Sequence, residues 1–181
     1  MGGWVFAYGS LMWDPGVPIC ESVIARLDGY ARSFCLRSLR HRGTPERPGL
    51  VLGLEAAAGA SCTGLAFRVA PADWEAALTN LRERELVTAA YQESLVPLAL
   101  ADGRRVEAVA YVMKLGHAQH VQGLSHDEQA AIIARAHGGR GPNADYLFNT
   151  VAHLDRLGLP DADLDGLAQR VRALLAGQGA A

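Results

Sequence analysis

Hydrophobic residues in the first three fifths of the chain come in short runs bounded by turn-forming residues, a pattern typical of β-strands. The first run, Trp4 to Tyr8, is apolar and aromatic and stops at Gly9-Ser10. Later runs are separated by Asp28-Gly29, by the polar stretch 40–49 and by Ala101-Asp102-Gly103. The predicted strands are 4–8, 22–27, 31–38, 50–55, 62–69, 94–100 and 106–114.

Helical spacing of apolar residues predicts helices in the rest of the chain. Pro71 is expected to open the first helix, and Ser125 with Glu128 has the spacing of a capping box at the start of the second. A third follows Gly138–Pro142, and a last one stops near Gly177. Strands first and helices later predict an α+β fold, a single domain over residues 1–181 with its last residues as a loose tail.

Composition and charge narrow the class of protein. The 181 residues suit one domain with a sizeable core, and a net charge of −2 gives no field that would attract nucleic acid or an anionic membrane. The N-terminus has neither the basic start of a signal peptide nor an apolar run long enough to span a bilayer. An odd number of cysteines without a CxxC pair favours a reducing cytoplasm.

Glu85 is the most informative single residue. Trp74, Ala77, Leu78 and Leu81 define the buried stripe of the first helix, and Glu85 falls within roughly 30° of its middle. A carboxylate on a buried face is costly unless it is paired, hydrogen-bonded or protonated, and burial produces the raised pKa that a general base needs. The alternative is that the helix frays by Glu85, or that an arginine such as Arg84 pairs with it.

The turn Tyr8-Gly9-Ser10-Leu11 is a second candidate, because glycine lets the backbone approach a ligand closely. Successive N–H groups there could hold a carboxylate or an oxyanion. An ordinary turn after a strand has the same sequence, so both interpretations stay open.

Two basic, glycine-containing stretches complete the candidates. The first, 38–45, contains Arg42, which could bind a substrate carboxylate through two hydrogen bonds. The second, 138–143, leads into a helix that carries Tyr146. A solvated loop and an ordinary capped helix are the alternatives.

The histidines and cysteines could serve as ligands of a metal site or as a thiol–base pair. His117, His120 and His126 lie close in sequence, but no cysteine or carboxylate completes a zinc spacing, so we expect no metal. Cys35 and His41 could form a thiol–base pair, yet a cysteine in an apolar strand is usually a core residue.

Taken together, these segments resemble the ChaC branch of the γ-glutamyl cyclotransferase superfamily. The resemblance rests on Trp4–Trp13, on His41-Arg42-Gly43 within 38–45, on Arg84-Glu85 followed by Tyr91, and on Gly141–Leu147. It extends over nearly the whole chain and implies a mixed, barrel-like β-sheet flanked by helices.

The resemblance also implies roles for the candidates. Glu85 takes the position of the catalytic acid and base, and Tyr8, Gly9, Ser10 and Leu11 form the loop that grips a γ-glutamyl group. Arg42 would lie near the far carboxylate of the peptide, Tyr146 near Glu85, and Tyr91 would bind substrate. One departure is visible: Ala89-Ala90 stands where at least one glycine is expected before the tyrosine.

The implied reaction is the cyclisation of the glutamyl half of glutathione to 5-oxoproline, with release of Cys-Gly. It requires no cofactor and no macromolecular partner, and a monomer is expected. The same chemistry on another γ-glutamyl amide or amine, and a non-catalytic γ-glutamyl-binding protein, are the alternatives.

Overall fold

The computed structural model describes residues 2–178, and the end of the predicted loose tail lies outside them. The strands are β1 (Gly3–Ala7), β2 (Glu21–Ser38), β3 (Gly49–Val69), β4 (Tyr91–Leu100), β5 (Arg105–Met113), β6 (His137–Gly138) and β7 (Gly141–Pro142). The helices are α1 (Trp74–Glu85), α2 (His126–Arg135), α3 (Asn143–Arg156) and α4 (Ala162–Gln178). The predicted α+β class with a barrel-like sheet is confirmed.

The chain divides into two compact units. The first unit comprises residues up to Ser33 together with Gly53–Ala118, and the second comprises Phe34–Leu52 together with the chain from Gln119 onward. The chain passes from one unit to the other three times, so neither is one continuous segment. The single domain expected from the sequence stays a prediction.

Strands β1 to β5 form a closed barrel with strand order β1-β3-β2-β4-β5, and β1, β4, β5 and most of β2 and β3 belong to the first unit. The short, apolar β1 lies between β3, to which it is antiparallel, and β5, to which it is parallel. Val5 is paired with Phe67 on one side and with Val109 on the other. Both edges of β1 are paired and its residues Val5, Phe6 and Ala7 are almost fully buried, so the residues that follow them are held at one end of the barrel.

The strands are longer than the sequence predicts. Segments 22–27 and 31–38 form one strand, β2, and 50–55 and 62–69 form another, β3, so the predicted interruptions are wrong. Gly29 and Gly59 have φ angles of 81° and 79°, the conformation expected of a turn. A glycine in this conformation can also bend a strand without ending its pairing, which explains the error.

Helix α1 begins three residues later than predicted. Pro71 lies in a preceding turn, in which the N–H of Asp73 donates to the carbonyl of Ala70, and the helix starts at Trp74. Trp74 is only partly buried, whereas the rest of the predicted stripe is buried: Ala77, Leu78 and Leu81.

Helices α2, α3 and α4 and the two-stranded pair β6–β7 belong to the second unit. The predicted capping box is present: Ser125 Oγ accepts from the N–H of Glu128, and the Glu128 carboxylate accepts from the N–H of Ser125. The buried faces of these helices carry Ile133, Leu147, Leu154, Leu167 and Val171. No helix within residues 2–178 combines the length and the apolar character needed to cross a membrane.

Candidate active site

The turn that follows β1 is tightly closed. After Tyr8 and Gly9 the chain makes a single 3-10 turn, Ser10–Met12. The N–H of Met12 donates to the carbonyl of Gly9 and that of Asp14 to the carbonyl of Ser10, both at 2.9 Å. The first N–H groups of such a turn cannot be satisfied within it, which leaves them to other acceptors. Leu11 is 7% exposed and anchors the turn in the core.

Neighbouring strands fix the position of this turn. The Tyr8 hydroxyl donates to the carbonyl of Tyr111 on β5 at 2.8 Å, and Arg32 Nη1 on β2 donates to the carbonyl of Tyr8 at 3.0 Å. Gly64 on β3 lies so close to β1 that a Cβ there would meet the Ala7 carbonyl oxygen at 2.3 Å. The phenol of Tyr8 therefore serves to hold the turn in place.

Glu85 is the last residue of α1, and the helix does not fray before it. The N–H of Leu86 still donates to the carbonyl of Arg82 at 2.9 Å, and the Glu85 side chain is only 16% exposed. The helical spacing therefore indicated its partial burial correctly. The pairing that the sequence left open is also present, since Arg84 Nε lies 3.2 Å from Glu85 Oε1.

Arg84 connects Glu85 to the turn. Its Nη2 donates to Ser10 Oγ at 3.2 Å, and its Nη1 donates to the Asp14 carbonyl at 2.6 Å and lies 3.4 Å from the Asp14 carboxylate. Two elements that are more than 70 positions apart in sequence are thus joined through one side chain. Sequence reasoning treated Arg84 only as a possible partner of Glu85 and gave no sign of its bonds to the turn.

Tyr111 is a second residue that sequence reasoning missed. Burial, and then the negative charges of Glu93 and Glu85, raise the pKa of the Tyr111 phenol above its ordinary value of 10. Its hydroxyl donates to Glu93 Oε2 at 3.3 Å. A phenol that stays protonated thus lies within the electrostatic influence of Glu85. Tyr111 lies in the apolar predicted strand 106–114, and that pattern does not indicate an interaction with Glu85 or Glu93.

Tyr91 is the first residue of β4, is 8% exposed, and is paired with Met113 of β5. Two residues earlier, Ala89 has a φ angle of +55°, a left-handed conformation that favours glycine. The departure noted in the sequence therefore coincides with a backbone position where glycine would fit better. The chain nevertheless adopts the turn into β4 with alanine.

Arg42 lies in the second unit and is held by backbone carbonyls. Its Nη1 donates to Arg140 at 2.7 Å and to Pro142 at 3.1 Å, and its guanidinium carbon lies 5.7 Å from the centre of the Tyr146 ring. Burial lowers the pKa of Arg42, and the charge of Asp145 opposes that effect. These bonds use one terminal nitrogen of a group with five N–H donors.

Tyr146 lies on α3 in the same unit and is 7% exposed. Its hydroxyl accepts a long hydrogen bond of 3.4 Å from the N–H of Leu52, and its ring meets Phe34 edge-on, with centroids 6.0 Å apart. Asn143, which is fully buried, bonds both backbone groups of Leu50 at 2.7 Å. Asn143 is a support that sequence reasoning did not single out, although it stands directly after Gly141-Pro142.

The predicted site residues therefore fall into two groups. Tyr8 to Leu11, Glu85 and Tyr91 belong to the first unit, in which Arg84 joins the turn to Glu85. Arg42 and Tyr146 belong to the second, in which they contact each other. The expected approach of Tyr146 to Glu85 stays a prediction.

Comparison with known proteins gives a consistent result. The sequence profile of the ChaC-like protein family matches residues 3–174. The chain is 39% identical to the glutathione-specific γ-glutamylcyclotransferase of Escherichia coli over 173 residues, which cover 96% of this chain and 74% of that protein. It is 34% identical to γ-glutamylcyclotransferase 2-3 of Arabidopsis thaliana, with 97% of this chain and 91% of that protein covered.

Among solved structures, the chain is similar to a γ-glutamyl cyclotransferase specific to glutathione from yeast. The TM-score is 0.86 at 23% identity, with 95% of this chain and 96% of that chain covered. A likeness at this identity shows a common fold.

Proposed function

Since this chain belongs to the ChaC-like protein family, we propose that it is a γ-glutamyl cyclotransferase that cleaves glutathione to 5-oxoproline and Cys-Gly. The α-amine of the glutamyl group attacks its own γ-carbonyl carbon, and the amide bond to cysteine breaks. The carbon–nitrogen bond that forms closes a five-membered lactam, so the reaction consumes no water.

One observation carries the assignment of the site. The Glu85 carboxylate, largely buried at the end of α1, is joined through Arg84 to the Ser10 turn at the end of β1. A carboxylate beside a turn that offers backbone N–H groups supplies a base and an anion-binding backbone in one place. This arrangement supports Glu85 as the catalytic residue and Gly9, Ser10 and Leu11 as the segment that binds the γ-glutamyl group.

Positioning supplies much of the rate enhancement in an intramolecular reaction. Folding the glutamyl group into attack geometry can lower the barrier by up to roughly 10 kcal/mol. The enzyme must also move a proton, because the α-amine is largely protonated at neutral pH and cannot attack in that form. Glu85 takes a proton from this amine and returns one to the departing cysteinyl nitrogen, acting first as base and then as acid.

The remaining residues bind the substrate. Arg42 has N–H donors beyond those bound to the Arg140 and Pro142 carbonyls, which suits the terminal carboxylate of a tripeptide. Tyr91 in the first unit and Tyr146 in the second are aromatic residues with little exposure, and each is suited to contact a small molecule.

Glutathione is the substrate named for the E. coli and zebrafish relatives, which are 39% and 32% identical to this chain. Another γ-glutamyl amide would use the same base and the same turn, and would differ at the leaving group. The cysteines Cys20, Cys35 and Cys62 are thiols, in keeping with a protein that works in the reducing cytoplasm.

The decisive experiment incubates the purified protein with reduced glutathione and detects 5-oxoproline and Cys-Gly by mass spectrometry. We expect both products from the wild type and none from Glu85→Gln, which keeps the shape of the side chain and removes the base. The neighbouring Glu83→Gln is the matched control, since Glu83 is exposed on the same helix. Near wild-type release of 5-oxoproline by Glu85→Gln would refute the role of Glu85. Intact glutathione with the wild type would redirect the assay to other γ-glutamyl compounds.

A further inference from the structure

The guanidinium of Arg84 is engaged at all three of its nitrogens. Nε lies 3.2 Å from Glu85 Oε1, Nη1 donates to the Asp14 carbonyl at 2.6 Å, and Nη2 donates to Ser10 Oγ at 3.2 Å. The side chain is 20% exposed. A guanidinium with this many protein partners has little capacity left to bind a substrate carboxylate.

The contact between Arg84 and Glu85 is not one that the helix itself would produce. Side chains of adjacent residues in an α-helix point about 100° apart and do not face each other. Arg84 and Glu85 meet because Arg84 turns towards the Ser10–Asp14 segment, which holds its two terminal nitrogens. The turn after β1 therefore determines where Arg84 lies, and Arg84 in turn holds one oxygen of Glu85.

We propose that Arg84 is a positioning residue that fixes the Glu85 carboxylate relative to the Ser10 turn, so that the base and the segment binding the γ-glutamyl group keep one geometry. This inference rests on the proposed function. In this role Arg84 does not bind the substrate, and its effect passes through Glu85 and Ser10.

A planar group with three nitrogens is required for this role. The three N–H donors of lysine all start from one nitrogen at the end of a flexible chain, so lysine keeps the charge but does not reproduce the separate positions from which Arg84 reaches Glu85, Asp14 and Ser10. A misplacement of about 1 Å at a catalytic group can cost roughly 10²-fold in rate. The charge-conserving substitution is therefore expected to be nearly as harmful as a neutral one.

Kinetics of Arg84→Lys and Arg84→Gln against reduced glutathione test the proposal. We expect kcat/KM to fall about 10- to 100-fold in both variants, through a lower kcat because Glu85 is misplaced and a higher KM because the turn is loosened. The matched control is Arg82→Lys, on the same helix, whose guanidinium is bound to Glu93 and not to the turn. It should stay within twofold of the wild type.

A double-mutant cycle separates positioning from a general loss of stability. Ser10→Ala should lower kcat/KM by a clearly smaller factor in the Arg84→Lys background than in the wild type, because the bond from Nη2 to Oγ is already gone. Additive effects would contradict a link between the two residues. Failure of both Arg84 variants to fold would assign Arg84 a structural role and overturn the proposal.

Hydrogen exchange gives a readout that does not depend on activity. The amides of Met12 and Asp14, which close the turn, should exchange faster in Arg84→Lys and Arg84→Gln than in Arg82→Lys. If the wild type is active while the Arg84 variants match Arg82→Lys in both kinetics and exchange, the positioning role is wrong and the proposed function stands. If the wild type cleaves no γ-glutamyl compound, the proposed function fails, and faster exchange at these amides still supports the link between Arg84 and the turn.

Discussion

Ser10 has two roles, one for its backbone and one for its side chain. Its backbone forms the 3-10 turn after β1, and its hydroxyl accepts a hydrogen bond from Arg84. A residue that shapes a binding segment affects substrate binding more than the chemical step, unless its bonds strengthen in the transition state. A role in substrate binding changes mainly KM, whereas a role in the transition state lowers kcat.

Ser10→Ala is expected to raise KM about fivefold and to change kcat less than that. Loss of one long hydrogen bond at a partly exposed site is worth about 1 kcal/mol, which corresponds to roughly that factor. Initial-rate kinetics with glutathione measure both constants. Equal losses in kcat and kcat/KM would instead assign Ser10 to the transition state.

Ala89 offers a second test at the scale of single residues. An alanine at φ +55° costs about 1 kcal/mol, whereas glycine costs about as much through the freedom it gives the unfolded chain. Ala89→Gly should therefore leave the free energy of unfolding unchanged or slightly higher. The adjacent Ala90→Gly, at a fully buried position, should lose about 1 kcal/mol or more. Urea denaturation of both variants measures the difference, and a loss at Ala89 equal to that at Ala90 would contradict this account.

Residue patterns predicted where Glu85 lies and offered Arg84 as a possible partner, but they did not indicate what holds Arg84. The spacing of Ala77, Leu78 and Leu81 defines a buried face, so partial burial of Glu85 follows from helical geometry. The bonds from Arg84 to the turn join residues 70 and 74 positions apart, and no local pattern contains that information. Tyr111 is hidden for the same reason, because its polar partner Glu93 lies on another strand.

The ends of helices and strands were predicted correctly where local hydrogen bonds define them. The capping box at Ser125 gave the start of α2 correctly, since both of its bonds are local. Gly29 and Gly59 were misinterpreted as strand ends, because a left-handed glycine is compatible with a bend as well as with a reversal. Only pairing with neighbouring strands, a non-local property, distinguishes the two.

Helix α1 is tied to β4 by Arg82 and Glu93, whose side chains form two hydrogen bonds of 2.7 Å. The bond from Arg82 lowers the pKa of Glu93 below its ordinary value of 4.5. A lowered pKa in the folded state means that this interaction stabilises the fold above that value, and that the contribution is lost as the pH falls through the folded pKa.

Glu93→Gln should therefore lower the free energy of unfolding by about 1 kcal/mol at pH 7, and the difference from the wild type should shrink as the pH drops below 4.5. Urea denaturation from pH 3 to 7 measures this. Glu83→Gln, an exposed change on α1, should have no measurable effect at any pH. A pH-independent difference for Glu93→Gln would show that packing, and not charge, is responsible.

For the whole molecule, exposed apolar side chains bear on the oligomeric state. Among residues 2–178, the exposed large hydrophobic residues belong to four separate segments: Val87, Leu95, Leu115 and Leu174. A few exposed apolar side chains are ordinary on a monomer. We expect a solution mass near the 19.3 kDa of one chain, measured by light scattering during gel filtration. A mass near twice that value at micromolar concentration would contradict the monomer.

Because the chain passes three times between its two units, the segments of each unit become available for folding at different times during synthesis. Residues 34–52 leave the ribosome well before the rest of the second unit, which begins at Gln119. At about 5–20 residues per second, Leu50 waits roughly 5 to 20 s for Asn143, the residue that bonds it in the finished protein. During that interval the hydrophobic residues of 34–52 lack their partners from the later part of the second unit, so the demand for chaperones should be greatest before α3 has emerged.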